Sequence, residues 1–190
     1  MQLRPRPLPR LTRDEFACLV DAHQHRLHVY LAGLVGSAEL AFDLVQETFC
    51  EAWEAAQRGS PPFVPAPAAD EVARWLFRAG SNNALSLLRR QRRFRWEPLD
   101  DVHDTLIEPN GDFTQRVVER DALAAALDSL SPQDAACLLL RVVHGFSAAE
   151  TGAILNTSAE NINNRLARAK QRLRAAYLDT PARLREASQP

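Results

Sequence analysis

The sequence predicts an all-α protein built from two small helical domains and a flexible acidic linker. Three observations lead there: helix caps recur along the chain, strand signals are nearly absent, and the charges fall into blocks. No alternating Val/Ile/Thr run appears, and no Asn-Gly turn joins two such runs. The chain has 190 residues, room for one domain or two small ones.

Thr12-Arg13-Asp14-Glu15 reads as a capping box, a Thr whose hydroxyl caps the helix and a Glu that reaches back. The helix it opens is expected to run to about Leu34, where Gly33 and Gly36 mark its end. Ser37 caps a second helix, on which Leu40, Leu44, Val45, Thr48, Phe49, Ala52 and Trp53 recur at helical spacing. The segment from Gly59 to Ala69 holds four prolines and excludes regular helix. Asp70 precedes a long helix to about Arg93. From Trp96 to about Gln115 the chain is acidic and carries Pro98, Pro109 and Asn110-Gly111, which reads as the linker.

A second run of helices follows, the first expected over about Arg116 to Ser129. Ser131-Pro132 supplies an N-cap and a proline at the first helical position, and that helix should end at Gly145. Ser147-Ala148-Ala149-Glu150 is another capping box, opening a short helix to Leu155. Asn156 stands where the turn needs a left-handed residue, which Asn tolerates. Ser158 caps a last helix to about Tyr177, and the tail from Asp179 is expected to fray. The expected divisions are therefore 12–95, 96–115, 116–178 and 179–190.

Net charge is −1, which taken alone predicts no nucleic-acid binding, but the distribution differs. Seven arginines and no acid lie between Val72 and Trp96, six acids and no Lys or Arg between Glu97 and Asp112, and five basic residues and no acid between Asn161 and Leu178. Two basic blocks around an acidic stretch suit two polyanion-binding surfaces, although solvated helix faces would look the same. Cys18, Cys50 and Cys137 lie too far apart for a zinc pair or a secreted disulfide framework. They fit a reducing cytoplasm, with the thiols packed as small hydrophobes. No apolar run suits a membrane span, and the basic N-terminus has no apolar segment of a signal peptide behind it.

The pattern 147–155, a short turn, then a longer helix is that of a helix–turn–helix. In the last helix Ile162, Leu166, Ala169 and Leu173 form the stripe that must face the core. The opposite side carries Glu160, Asn164, Ala167, Arg168 and Gln171, flanked by Asn161, Asn163 and Arg165. Asn can bond adenine bidentately in the major groove, and Arg can bond guanine or phosphate. Such packing also serves to stack helices with no DNA role.

In the helix 70–93, Arg78, Asn82, Arg89 and Arg93 share a side with Trp75, a basic stripe with an aromatic at its start. It suits phosphates and the stacking of an unpaired base, although Trp75 by itself would equally suit a core. The helix 37–58 differs: Asp43, Gln46, Glu47, Glu51 and Glu54 form a face that would repel DNA and suits protein docking or solvent.

Several of these segments resemble one family. Ala41-Phe42-Asp43-Leu44-Val45-Gln46-Glu47-Thr48-Phe49 with Ala52-Trp53 resembles the polymerase-binding helix of extracytoplasmic-function (ECF) sigma factors. Trp75-Leu76-Phe77-Arg78, Asn82 and Arg89-Arg90 resemble their promoter-melting helix. Leu127 to Pro132, Gly145-Phe146-Ser147, Glu150 and Arg165-Leu166-Ala167-Arg168-Ala169 resemble their C-terminal helix–turn–helix.

The resemblance implies a sigma region 2-like bundle and a sigma region 4-like helix–turn–helix. It implies that Asp43, Gln46 and Glu47 meet the clamp helices of the largest polymerase subunit. Arg78, Asn82 and Arg89 would engage the −10 element and its melted strand. Asn161, Asn163, Asn164, Arg165 and Arg168 would read or grip the −35 element. The loop Gly59–Ala69 sits where the family captures a flipped base. Implied partners are core RNA polymerase (clamp helices and flap), promoter DNA and an anti-sigma factor, without membrane insertion or a cofactor. The linker has the reach: about 20 extended residues span up to ~65–70 Å, and a spacer of about 17 base pairs is ~58 Å long.

Some positions depart from the family pattern. Gly80 and Ser86 stand where Ala and Asp are usual, Asn83 replaces an apolar residue, and Thr151-Gly152 replaces Ile-Ala. Asn83 and Gly152 are expected to weaken packing. The alternatives are a stand-alone helix–turn–helix regulator and an enzyme. For the latter His23, His25, His28, His103 and His144 offer no recognised metal spacing, and no Gly-rich phosphate loop exists.

Overall fold

The computed structural model describes residues 11–63, 68–94, 126–127 and 129–187, with side chains through Gln91 in the second stretch and Ala176 in the last. The expected linker 96–115 and most of the expected helix 116–129 lie outside the described residues, as does the side chain of Arg93. Every described regular element is a helix: α1 (Arg13–Val35), α2 (Ala38–Gln57), α3 (Ala69–Phe94), α4 (Pro132–Leu138), α5 (Ala148–Leu155) and α6 (Ala159–Ala187).

The caps fall where the sequence puts them. Thr12 and Glu15 form a reciprocal capping box, and Gly36 closes α1 in the left-handed region at φ 72°. Ser37 caps α2, and Ser131 caps α4 with Pro132 in its first turn. Ser147 and Glu150 form the second capping box, and Asn156 ends α5 at φ 53°.

Two stretches differ from expectation. The helix from Ser131 loosens into π-helix over Leu139–Val143, where the N–H of His144 bonds the Leu139 carbonyl and that of Phe146 the Leu140 carbonyl. The wider turn is the local irregularity typical of single π turns. The last helix continues past Tyr177 to Ala187, because Ala, Leu, Arg and Glu after Pro181 all favour helix.

In the first unit α1, α2 and α3 pack mutually. Leu27, Tyr30 and Leu31 of α1, Thr48 and Phe49 of α2, and Val72, Leu76 and Phe77 of α3 are buried there. A hydroxyl relay crosses this core. Ser81 Oγ donates to the Phe77 carbonyl at 2.6 Å, leaving Tyr30 to donate to Ser81 Oγ at 2.7 Å. In the second unit α4, α5 and α6 enclose Ala136, Cys137, Leu140, Ile154, Ile162 and Ala169.

The units do not stand apart. α3 packs against α5, and α1 against the π-helical stretch. Phe77 is the hub, with its ring centre 5.0 Å from both His144 and Phe146. The Tyr30 ring lies 5.7 Å from His144, and Arg26 donates to the His144 carbonyl at 3.3 Å. A Cβ on Gly33 would lie 3.3 Å from the Leu139 side chain. Each unit is small for a solitary core, and each supplies burial to the other.

Three expectations are corrected. Asn83 does not weaken the packing: its amide donates to Glu51 Oε1 at 2.9 Å and ties α3 to α2. Gly152 is required, since a Cβ there would sit 2.6 Å from the Thr157 carbonyl oxygen, so only glycine lets the turn fold this closely. Of the thiols, only Cys137 is packed as a small hydrophobe. Cys18 and Cys50 are exposed, on the outer sides of α1 and α2.

Candidate nucleic-acid interface

Helical phase decides what α3 shows to solvent. Val72, Leu76, Ala79 and Ala84 face inward, so Glu71, Trp75, Arg78, Asn82 and Arg89 fall on the outer stripe. Arg78, Asn82 and Arg89 are exposed, and Trp75 is half-buried with its ring edge-on to Phe63 at 5.1 Å. Trp75 thus leans on the core with one edge and faces a cleft with the other. The cleft, about 280 Å³, is lined by Pro61, Pro62, Glu71, Arg74, Trp75 and Arg78, with Ala153 and Ile154 of the second unit as its far wall. Arg74, half-buried on the same stripe, was not singled out by sequence reasoning. Its ion pair with Glu150 at 3.2 Å joins residues too far apart in sequence for any local signal.

The last helix divides its polar residues between two jobs. Glu160, Asn163, Asn164, Ala167, Arg168 and Gln171 form one exposed face, the geometry a major-groove reading helix needs. Asn161 and Arg165 are half-buried on its flank. The Asn161 amide donates to Thr157 Oγ1 at 2.7 Å, and its N–H to Ser158 Oγ at 3.1 Å, so it braces the turn. Arg165 donates to Asp134 Oδ1 at 3.2 Å. Arg172, two turns on, reaches the other Asp134 oxygen at 3.5 Å. The Asp134 side chain is only 8% exposed, so this carboxylate is compensated by two guanidiniums rather than by water. The N-terminal position of Asp134 in α4 also sets it in the favourable field of that helix.

On α2, Phe42, Asp43, Gln46, Glu47 and Cys50 are exposed together, opposite buried Leu44, Thr48 and Phe49. Phe42, 56% exposed, places a bare aromatic amid the acids of this face.

Burial tunes one group at the seam between the units. The His144 imidazole is pushed down to about 4 by desolvation and then by the nearby Arg26 charge, so it is neutral at pH 7. Its Nε2 is buried and finds no hydrogen-bond partner among the described residues. Among those residues no cluster of three or more His, Cys, Asp or Glu side chains is arranged to hold a metal, and no helix is long and apolar enough to cross a membrane.

The family model for sigma-70 region 2 matches residues 19–94, and that for sigma-70, region 4 matches residues 120–173. Fold and site therefore define a two-module helical chain of the sigma-70 type. ECF RNA polymerase sigma factor SigM of Mycobacterium tuberculosis (strain ATCC 25618 / H37Rv) is 30% identical over 175 residues, covering 91% of this chain and 83% of SigM. SigG of the same strain is 29% identical over 202 aligned positions and covers 94% of this chain, which spans only 53% of SigG, about half its length. The fold also matches the sigma factor RpoE of Bartonella quintana, solved in complex with the anti-sigma factor NepR. The TM-score is 0.61 at 22% identity, covering 86% of this chain and 94% of that one. The chain belongs to the ECF RNA polymerase sigma factor family.

Proposed function

We propose that this protein is an alternative sigma factor that binds core RNA polymerase and directs it to promoters through separate −10 and −35 contacts. The observation that carries the reading is the pairing, in one chain, of a basic, aromatic-bearing α3 stripe with an amide- and arginine-rich α6 face, one within each matched sigma-70 region. In this reading Arg78, Asn82, Arg89 and Arg93 hold the −10 strand, and Trp75 offers a ring to an unstacked base. Asn163, Asn164 and Arg168 address −35 base edges from the exposed face. Arg165 and Asn161 shape that face from its flank, and the Arg165 N–H groups not used by Asp134 remain for a phosphate. Asp43, Gln46 and Glu47, with Phe42 between them, dock on the polymerase clamp helices.

The role is recruitment and strand capture rather than catalysis, and it places the protein with the chromosome in the bacterial cytoplasm. The complex of RpoE with an anti-sigma factor supports a protein inhibitor as a further partner. The test is transcription in vitro with core polymerase on genomic DNA, followed by mapping of 5′ ends. New start sites sharing two motifs are expected. No new starts, together with no association with core in gel filtration, would overturn the proposal.

A further inference from the structure

The closed seam and the promoter cannot be accommodated at once. α3 packs on α5, and α5 on α6. Two helix packings of about 8–10 Å each hold the axes of α3 and α6 within roughly 20 Å. The promoter elements that the two units address lie about 58 Å apart for a spacer of about 17 base pairs. DNA binding therefore requires the units to part, and every pair that joins the two units then separates.

One of those groups is cationic and lies within the DNA-facing stripe. Arg74 sits one turn before Arg78 and beside Trp75, lining the same cleft. Its guanidinium donates to Glu150 Oε1 at 3.2 Å. The other oxygen of that carboxylate, Oε2, accepts the Ser147 N–H at 2.9 Å and thereby closes the α5 capping box. Hydrogen bonds from Ser147 and then from Arg74 hold Glu150 below the usual carboxylate range, so it is an anion at neutral pH. Glu150 thus presents to Arg74 one anionic oxygen of an anchored carboxylate, the charge-assisted acceptor that a nucleic-acid phosphate oxygen also offers. Ala153 and Ile154, on the same short helix, wall the cleft beside it.

We infer that Arg74 is a further phosphate ligand of the −10 face, and that in the closed protein Glu150 occupies it in place of promoter phosphate. The inference rests on the sigma-factor reading above. Parting the units uncovers Arg74, while Glu150 keeps its capping role on α5. The helix–turn–helix thus carries a substitute for the ligand of the other unit.

The test measures binding of fluorescein-labelled oligothymidylate to the full chain alone and to the reconstituted holoenzyme, across a salt series. Glu150→Gln is the informative variant, because Gln also closes a capping box and keeps α5 intact. On the full chain alone it should tighten binding by about 2- to 5-fold, the range a partly exposed ion pair supports. In the holoenzyme it should change nothing, the units being apart already. Arg74→Gln should lower the log–log salt slope of the holoenzyme by about 0.7, one single-strand phosphate contact, and Arg74→Lys should restore it. The double variant should bind as Arg74→Gln does. Unchanged binding by Glu150→Gln alone overturns the occupancy of Arg74. A salt slope unmoved by Arg74→Gln, or a Glu150→Gln gain that survives it, overturns the phosphate assignment. Start-site mapping with wild-type holoenzyme reads the proposed function separately, so the two failures are distinguishable.

Discussion

The two helices proposed to face DNA are presented in opposite ways. On α6 the polar face from Glu160 to Gln171 is open to solvent, and its inner flank is tied down by Asp134. On α3 the stripe is open at Arg78, Asn82 and Arg89, but its upstream end is walled by the second unit and Arg74 is already paired. One surface is ready and the other is partly covered. The covering is held by packing around Phe77 more than by charge, since a half-exposed ion pair contributes little and a buried aromatic cluster much.

The sharpest way to break this contrast is Phe77→Ala. Phe77 is 1% exposed and serves both the first unit's core and the seam. Its truncation should cost about 3–5 kcal/mol in urea unfolding, and hydrogen exchange should show α5 deprotected along with α3. A loss confined to α1–α3 would mean that the seam does not depend on this ring. Next in size, Gly152→Ala strikes the α6 side alone. With a carbonyl oxygen 2.6 Å from the new Cβ, the turn must shift, costing about 1–3 kcal/mol and misplacing the reading face. Start-site mapping should then show loss at −35-dependent promoters before others.

Asn164→Ala sharpens the comparison from the open side. It should change preference at one −35 position by ~1–3 kcal/mol and leave others alone; an equal loss on every sequence would assign Asn164 to phosphate instead.

Acid probes the covered side. His144 stays neutral in the fold to about 4, whereas in the unfolded chain it takes up a proton near pH 6.5. Between those values the unfolded state binds more protons, so stability should fall as pH drops from about 7 to about 4. His144→Gln should flatten that slope only in part, because His23 is lowered as well, by burial and Arg26. A slope identical in the variant would place the effect elsewhere. The smallest expected change is Asp43→Arg, away from both α3 and α6. Unfolding stability should move by no more than about 0.5 kcal/mol while retention on immobilised core polymerase drops; retention equal to wild type would remove α2 from the docking surface.

Local chemistry was legible in the sequence, and long-range chemistry was not. Thr12, Ser37, Ser131, Ser147 and Asn156 announced helix ends because capping is decided within four residues. The exposed faces of α2, α3 and α6 followed from period alone. Hidden were the contacts that join distant segments: Asn83 with Glu51, Arg165 with Asp134, Arg74 with Glu150, and Phe77 with His144 and Phe146. Asn83 and Gly152 looked like defects because their compensation, a carboxylate on α2 in one case and a carbonyl across a turn in the other, has no mark in the neighbouring residues. Asn161 and Arg165 were grouped with the readers because composition cannot tell a donor aimed outward from one turned back to its own fold.

The single carboxylate of Asp134 grips α6 at two points separated by seven residues. A rod pinned twice along one edge cannot roll about its long axis without tearing both pins. In the proposed complex its outward edge therefore meets each promoter at one fixed angle. Whatever bending or twisting a good fit demands must come from the duplex, so base steps that no side chain touches will also rank one promoter above another.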